Sequence, residues 1–185
     1  MMIIGITGTL GAGKGTVVEY LVGKKGFDHY SVRAFLLEEI RRRGMPENRD
    51  SMVVVANELR GIHGPSYITD QLYDRAEKIG KNCIIESIRT PGEIGSLRKK
   101  GRFLLFAVDA DPVLRYKRIV ERSSETDRIS WETFLENEER EMSAADPNRQ
   151  NLKECISQAD FVLRNDGSKE DLYAGVEQVL RDITG

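Results

Sequence analysis

The chain has 185 residues, 31% of them charged, with a formal net charge of −2. This length suits one domain, 1–185, with a full core, and the charge balance excludes a nucleic-acid groove, which needs clustered Lys and Arg. No apolar run approaches the about 20 residues that span a bilayer, and the N-terminus lacks a signal peptide's basic start.

The first element is the apolar run 2–6, which reads as a buried strand. Residues 8–16 follow as GTLGAGKGT, and a helical period fills about 14–24. Strand, glycine-rich turn and helix, in that order, are the setting of a phosphate-binding loop. Gly8, Gly11, Gly13 and Gly15 remove the Cβ atoms that would hold the backbone off a polyphosphate. Lys14 adds a mobile point charge toward the β- and γ-oxygens, and Ala12, Thr16 and Val17 complete the wrap. Gly15 stands where many such loops carry Ser or Thr, so the Mg²⁺-contacting hydroxyl moves one place to Thr16.

A short strand near 27–30 leads into helical stretches at 32–44, 50–62 and 66–80. The run Arg41-Arg42-Arg43 follows Glu38-Glu39, giving pairs Glu38–Arg42 and Glu39–Arg43 at a solvated helix end. An insert over about 31–80 is expected to hold the second substrate. Arg33, Arg49 and Arg60 are its candidates for a monophosphate, because the guanidinium fork matches phosphate oxygens in pairs. His63 reads as a polar contact in a turn.

The next strand, 82–87, ends at Glu86, where such enzymes place the acid that holds Mg²⁺ or its waters. Arg89 reaches over the same crevice, and Thr90-Pro91-Gly92-Glu93 starts a helix with a capping box. A strand at 102–108 is followed by a helix over 112–123, with Arg115, Arg118 and Arg122 on one face. Arg128 lies in the polar loop after it. One-faced arginines leading to a polar loop suit a lid over about 115–143, closing on transferring phosphates. Helices at 130–143, 148–158 and 169–182 and a strand at 160–164 complete the pattern, with a surface turn over 143–151. Trp131 reads as packing. Cys83 and Cys155 have no partner spacing and read as buried or free thiols in a reducing cytoplasm. With only two histidines and no Cys-x-x-Cys, a zinc site of the usual kind is excluded.

Short apolar strands alternating with helices predict an α/β fold, a parallel sheet covered on both faces. Ligands then sit at the carboxyl ends of the strands, on loops beginning at Thr7, Ser31, Ser87, Asp109 and Asn165.

On these residues the whole chain resembles the nucleoside monophosphate kinase superfamily. It is most similar to an archaeal group related to adenylate kinase and dephospho-CoA kinase. Lys-Gly-Thr at 14–16 is common there, and Glu86-Ser87-Ile88-Arg89 resembles that group's strand-end Asp-Gly-(Ile/Val)-Arg. The stretch from Arg115 to Asp127 resembles its arginine-rich lid, and 137–142 its following helix. Residues 159–168, with Asn165 and Gly167, resemble the adenine-side loop of dephospho-CoA kinases.

The resemblance implies a five-stranded parallel P-loop kinase fold with a helical substrate-binding insert and a short lid. It implies ATP and Mg²⁺ as cofactors, a small-molecule nucleotide acceptor, and a cytoplasmic monomer or homodimer without nucleic-acid or membrane partners. Lys14 and the loop hold the β/γ-oxygens, and Thr16 and Glu86 the metal. Arg118, Arg122 and Arg128 neutralise the transferring group, Arg33, Arg60 and Arg89 bind the acceptor, and Asn165 and Gly167 flank the donor base. Two departures fall in the acceptor crevice. Glu86 and Ser87 replace the usual Asp-Gly, and Ala34-Phe35-Leu36-Leu37 stands where relatives carry Asp-x-x-Arg. A ribose hydroxyl acceptor, as in dephospho-CoA kinase, and a slowly hydrolysing nucleotide sensor are the alternatives.

Overall fold

Each central strand sends alternate side chains to opposite faces, and both faces are apolar, so this sheet must be covered twice. In the computed structural model, which describes residues 1–122, 129–143 and 145–184, it is. Strands β1 (Met2–Gly8), β2 (Asp28–Ser31), β3 (Cys83–Glu86), β4 (Arg102–Asp109) and β5 (Phe161–Arg164) form one parallel sheet in the order β2-β3-β1-β4-β5.

Ile3, Cys83, Ile85, Phe103 and Leu105 face one layer, built from α2 (Val32–Arg42), α3 (Arg49–His63), α4 (Tyr67–Ile79), α5 (Pro91–Arg98) and α8 (Leu152–Ser157). Ile4, Ile6, Ile84, Phe106 and Val108 face the other, under α1 (Lys14–Lys25) and α9 (Lys169–Thr184). The remaining helices, α6 (Pro112–Arg122) and α7 (Trp131–Met142), lie between β4 and α8 in the chain. No helix of the described residues is long and apolar enough to cross a membrane.

Local chemistry sets most helix starts. Ser31, Asn48 and Ser130 each accept a backbone N–H from three residues on, and Thr90 with Glu93 makes the full capping box. One boundary differs from expectation. The helix expected over 148–158 begins at Leu152, because Asn151 is its cap, accepting the Glu154 N–H at 3.1 Å. At the basic run, Glu39 takes both Arg42 and Arg43, while Glu38 reaches across to Arg75.

The strand order reverses beside β1. The crevice beyond its carboxyl end is therefore where a ligand fits, and the loops after β1, β3 and β4 all open there.

Candidate active site

The loop after β1 bends through two glycines that no other residue replaces easily. Gly8 has φ 135° and Gly13 φ 101°, both in the left-handed region. A Cβ on Gly13 would also stand 2.3 Å from the Asn165 side-chain nitrogen. That nitrogen donates to the Ala12 carbonyl at 2.8 Å, tying the loop to the end of β5. Helix α1 begins at Lys14 with no side-chain cap and no acidic residue in its first turn. Its N-terminal amides and positive dipole end are thus left for an anion. Val17 is buried beneath the loop, Thr16 is half-buried, and Gly15 is exposed with open space where a side chain would stand.

Lys14 folds back over this loop, donating to the carbonyls of Gly8 at 2.9 Å and Thr9 at 2.7 Å. Burial lowers its pKa to about 7, with the Arg89 charge pushing the same way and Glu141 and Glu86 opposing.

Glu86 ends β3, level with Ile6 of β1 and Ser31 of β2. Ser31 donates to its carboxylate at 2.8 Å, and His29 lies 3.4 Å away. Burial pushes this carboxyl up, but His29, Ser31 and Lys14 together outweigh it and hold it below the usual range. Glu86 is therefore an anchored, ionised carboxylate. The chain then turns through Ser87, the one non-glycine residue with positive φ (66°) among those described. The turn is pinned on both sides: Ile88 donates to the Ile6 carbonyl at 3.1 Å, and the Thr7 hydroxyl to the Ile88 carbonyl at 2.7 Å.

This turn delivers Arg89, which donates to Glu141 of α7 at 2.9 Å and to Gln150 at 2.7 Å. Arg49, at the start of α3, pairs with the same Glu141. Glu141 and Gln150 also line a cavity of about 570 Å³, together with Asn57, Arg140 and Arg149. Burial pushes the Glu141 carboxyl up, yet Arg89 and Arg49 hold it below the usual range.

Arg60 is the correction among the sequence-derived acceptor residues. Its guanidinium does not face the crevice but is 1% exposed and bound to Glu93 at 3.1 Å, inside the fold. The other Glu93 oxygen accepts the N–H groups of Arg89 and Thr90, at 2.7 and 3.0 Å. Arg60 thus acts on Arg89 through Glu93. Arg33 is exposed beside the end of β2 and makes no ion pair among the described residues.

On the other side of the loop, Gly11, Gly13, Thr16, Arg118, Arg122 and Gly167 line a second cavity of about 460 Å³. Arg118 donates to the Asn165 carbonyl at 2.8 Å, while its other terminal nitrogen is shut off from water without a partner among the described residues. Asn165 itself is 8% exposed, and its amide is spent on the loop. Arg115 is buried instead, donating to Ala110 and Leu10 carbonyls and pairing with Glu138 of α7. Arg128 lies outside the described residues.

Sequence reasoning missed Glu141 and Gln150. Each sits in a polar stretch and finds its partners in distant segments, so no local spacing marks it. It also missed Asp109, which accepts the Thr9 hydroxyl at 2.7 Å and pairs with Arg164.

Sheet order, phosphate loop and crevice together define a P-loop protein with the kinase-type α/β fold. The chain belongs to the UPF0200 family, and residues 4–144 match the family model described as an AAA domain. It is 30% identical to the UPF0200 protein of Methanocaldococcus jannaschii, over 99% of this chain and 91% of that protein. With the Pyrococcus abyssi member it shares 27% identity, over 98% and 97% of the two chains. Among solved structures, TT1252 from Thermus thermophilus matches with a TM-score of 0.60 and 25% identity, over 100% of this chain and 98% of that one. A putative kinase from Chloroflexus aurantiacus matches with a TM-score of 0.60 and 19% identity, over 98% and 96%.

Proposed function

We propose that this protein transfers the γ-phosphoryl group of ATP to the phosphate of a nucleoside or deoxynucleoside monophosphate. One observation carries the reading: two elements suited to anions lie past the carboxyl ends of the neighbouring strands β1 and β3. The phosphate loop is one, and the Arg49–Arg89 pair is the other. Lys14 feels the charges of Arg89, Glu141 and Glu86, which supports a shared electrostatic environment for the two.

In this reading an acceptor phosphate oxygen bonds to the γ-phosphorus as the bond to the β-bridging oxygen breaks, and ADP leaves. Such a transition state is loose, so positioning and charge do most of the work. Lys14 leaves its own loop carbonyls for the β/γ-oxygens. Arg118 and Arg122, which line the second cavity with Asn165 and Gly167, neutralise the transferring group, as does Arg128. Arg33 and Arg89 meet the acceptor. The ionised Glu86 and the Thr16 hydroxyl are oxygen donors of the kind Mg²⁺ takes, and they would hold it. Held there, Mg²⁺ would supply positive charge against the charge that develops on the phosphate oxygens.

The anchored Glu86 carboxylate also favours a second reading, in which it accepts a proton from a ribose hydroxyl of a dephospho-CoA-like acceptor. One assay separates the two: ADP formation from Mg²⁺-ATP across ribo- and deoxyribonucleoside monophosphates and dephospho-CoA, beside Lys14→Ala. Stimulation by one monophosphate, lost in Lys14→Ala, is the expected result. Stimulation by dephospho-CoA alone selects the second reading. No stimulation by any acceptor, with ATP still bound, sinks both and leaves a nucleotide sensor.

A further inference from the structure

Two arginines from separate segments end on one buried carboxylate. Arg49 opens α3 and Arg89 follows β3, and both pair with Glu141, whose side chain is 7% exposed. Arg89 has a further acceptor in Gln150. A pair of guanidinium groups converging on one anion is the donor set that phosphate dianions take, and a carboxylate satisfies only half of its charge. Glu141 and Gln150, the two acceptors of Arg89, both line the 570 Å³ cavity, with Arg140 and Arg149 among its other walls.

We propose that Glu141 is an internal stand-in for the acceptor's phosphomonoester group. In the free protein it keeps Arg49 and Arg89 together, and the incoming phosphate displaces it. Carboxylate and phosphate cannot share the fork, because like charges at contact distance repel strongly where water is scarce. The inference rests on the reading above that the acceptor docks on this side.

Displacement has a consequence for the donor side. Glu138 lies one turn before Glu141 on α7 and pairs at 2.5 Å with Arg115, which donates to the Leu10 carbonyl of the phosphate loop. Within a single turn, helix α7 therefore holds the acceptor fork directly and reaches the donor loop through Arg115. Freeing Glu141 loosens the helix that braces Arg115, so acceptor docking is transmitted to the loop that holds ATP.

The test is calorimetric binding of inorganic phosphate to the full chain, compared with Glu141→Gln. Removing the internal charge is expected to tighten phosphate by about tenfold. Adding Arg49→Met is expected to abolish that gain, which phosphate seated in the loop would not feel. If Glu141→Gln does not fold, Glu141→Asp, with a shorter reach, is expected to tighten phosphate in the same direction. Unchanged or weaker binding overturns the proposal and makes Glu141 a positioning residue. A gain that survives Arg49→Met overturns it too. The measurement involves no turnover, so a protein that phosphorylates none of the acceptors yet shows this gain keeps the fork and loses only the kinase reading.

Discussion

Arg60 and Glu93 form an ion pair with both side chains shut off from water, at 1% and 0% exposure. The pair joins α3 to the turn that carries Arg89, since Glu93 also accepts the Arg89 and Thr90 amides. A buried pair of this kind adds little over an apolar one, but losing one partner leaves a stranded charge. Arg60→Met is therefore expected to cost about 3–5 kcal/mol of unfolding free energy. The double change Arg60→Met with Glu93→Gln is expected to restore much of it, because no charge is left unpaired. Denaturant titration of the three proteins checks this, and equal losses in the single and double variants would refute the pairing argument.

Ser87 sits in the left-handed region at φ 66°, where a side chain is strained. Occupying that region costs a non-glycine residue about 1–2 kcal/mol, while glycine adds about 0.5–1 kcal/mol of unfolded-state entropy. Ser87→Gly is expected to gain the difference, about 0.5–1 kcal/mol, read as a higher midpoint of thermal unfolding. A lower midpoint would mean that the serine side chain contributes more than its backbone strain removes.

The sheet was legible because β1, β3 and β4 are short apolar runs, and the phosphate loop because its glycines and lysine are close together; β2, which reads Asp-His-Tyr-Ser, was marked only by its place between two helices. Thr90 and Glu93 announced their helix by adjacency alone. Arg60 was misread although its position was marked: Val55, Ala56 and Leu59 are the buried face of α3, and residue 60 falls on it. Glu141 left no such mark. It sits among Glu136, Glu138 and Glu139 on a helix that reads as a charged surface, and its partners lie 52 and 92 residues away. Burial of that kind is created by the fold and has no local pattern.

Gly13 faces two separate constraints, its φ of 101° and the Asn165 amide at 2.3 Å from any added Cβ. Gly13→Ala is expected to weaken nucleotide binding by about a hundredfold, roughly 3 kcal/mol, since it displaces both the loop and its brace. Asn165→Ala alone removes one buried hydrogen bond, worth about 1 kcal/mol, and is expected to weaken binding far less. The double variant relieves the collision but not the backbone strain, so partial recovery is expected. Titration of ATP into each protein gives the three affinities. Full binding by Gly13→Ala would show that the loop reshapes freely, contrary to the fit described above.

Lys14 offers a test that reads protons rather than turnover. Burial, with Arg89 beside it, lowers its pKa from 10.5 to about 7 in the free protein. The folded chain thus binds fewer protons than the unfolded chain between those values, and this residue's contribution to stability rises with pH across that window. A polyphosphate beside the ammonium reverses the balance, because an opposite charge favours the charged form. Nucleotide binding above pH 7 is therefore expected to take up a proton at Lys14. Calorimetry of ADP binding at pH 8, repeated in two buffers of different ionisation heat, measures that uptake directly. The expected result is a fractional proton taken up by the natural chain and none by Lys14→Met, whose binding is also weaker. Equal heats in both buffers for the natural chain would mean that Lys14 is already charged in its folded-back position.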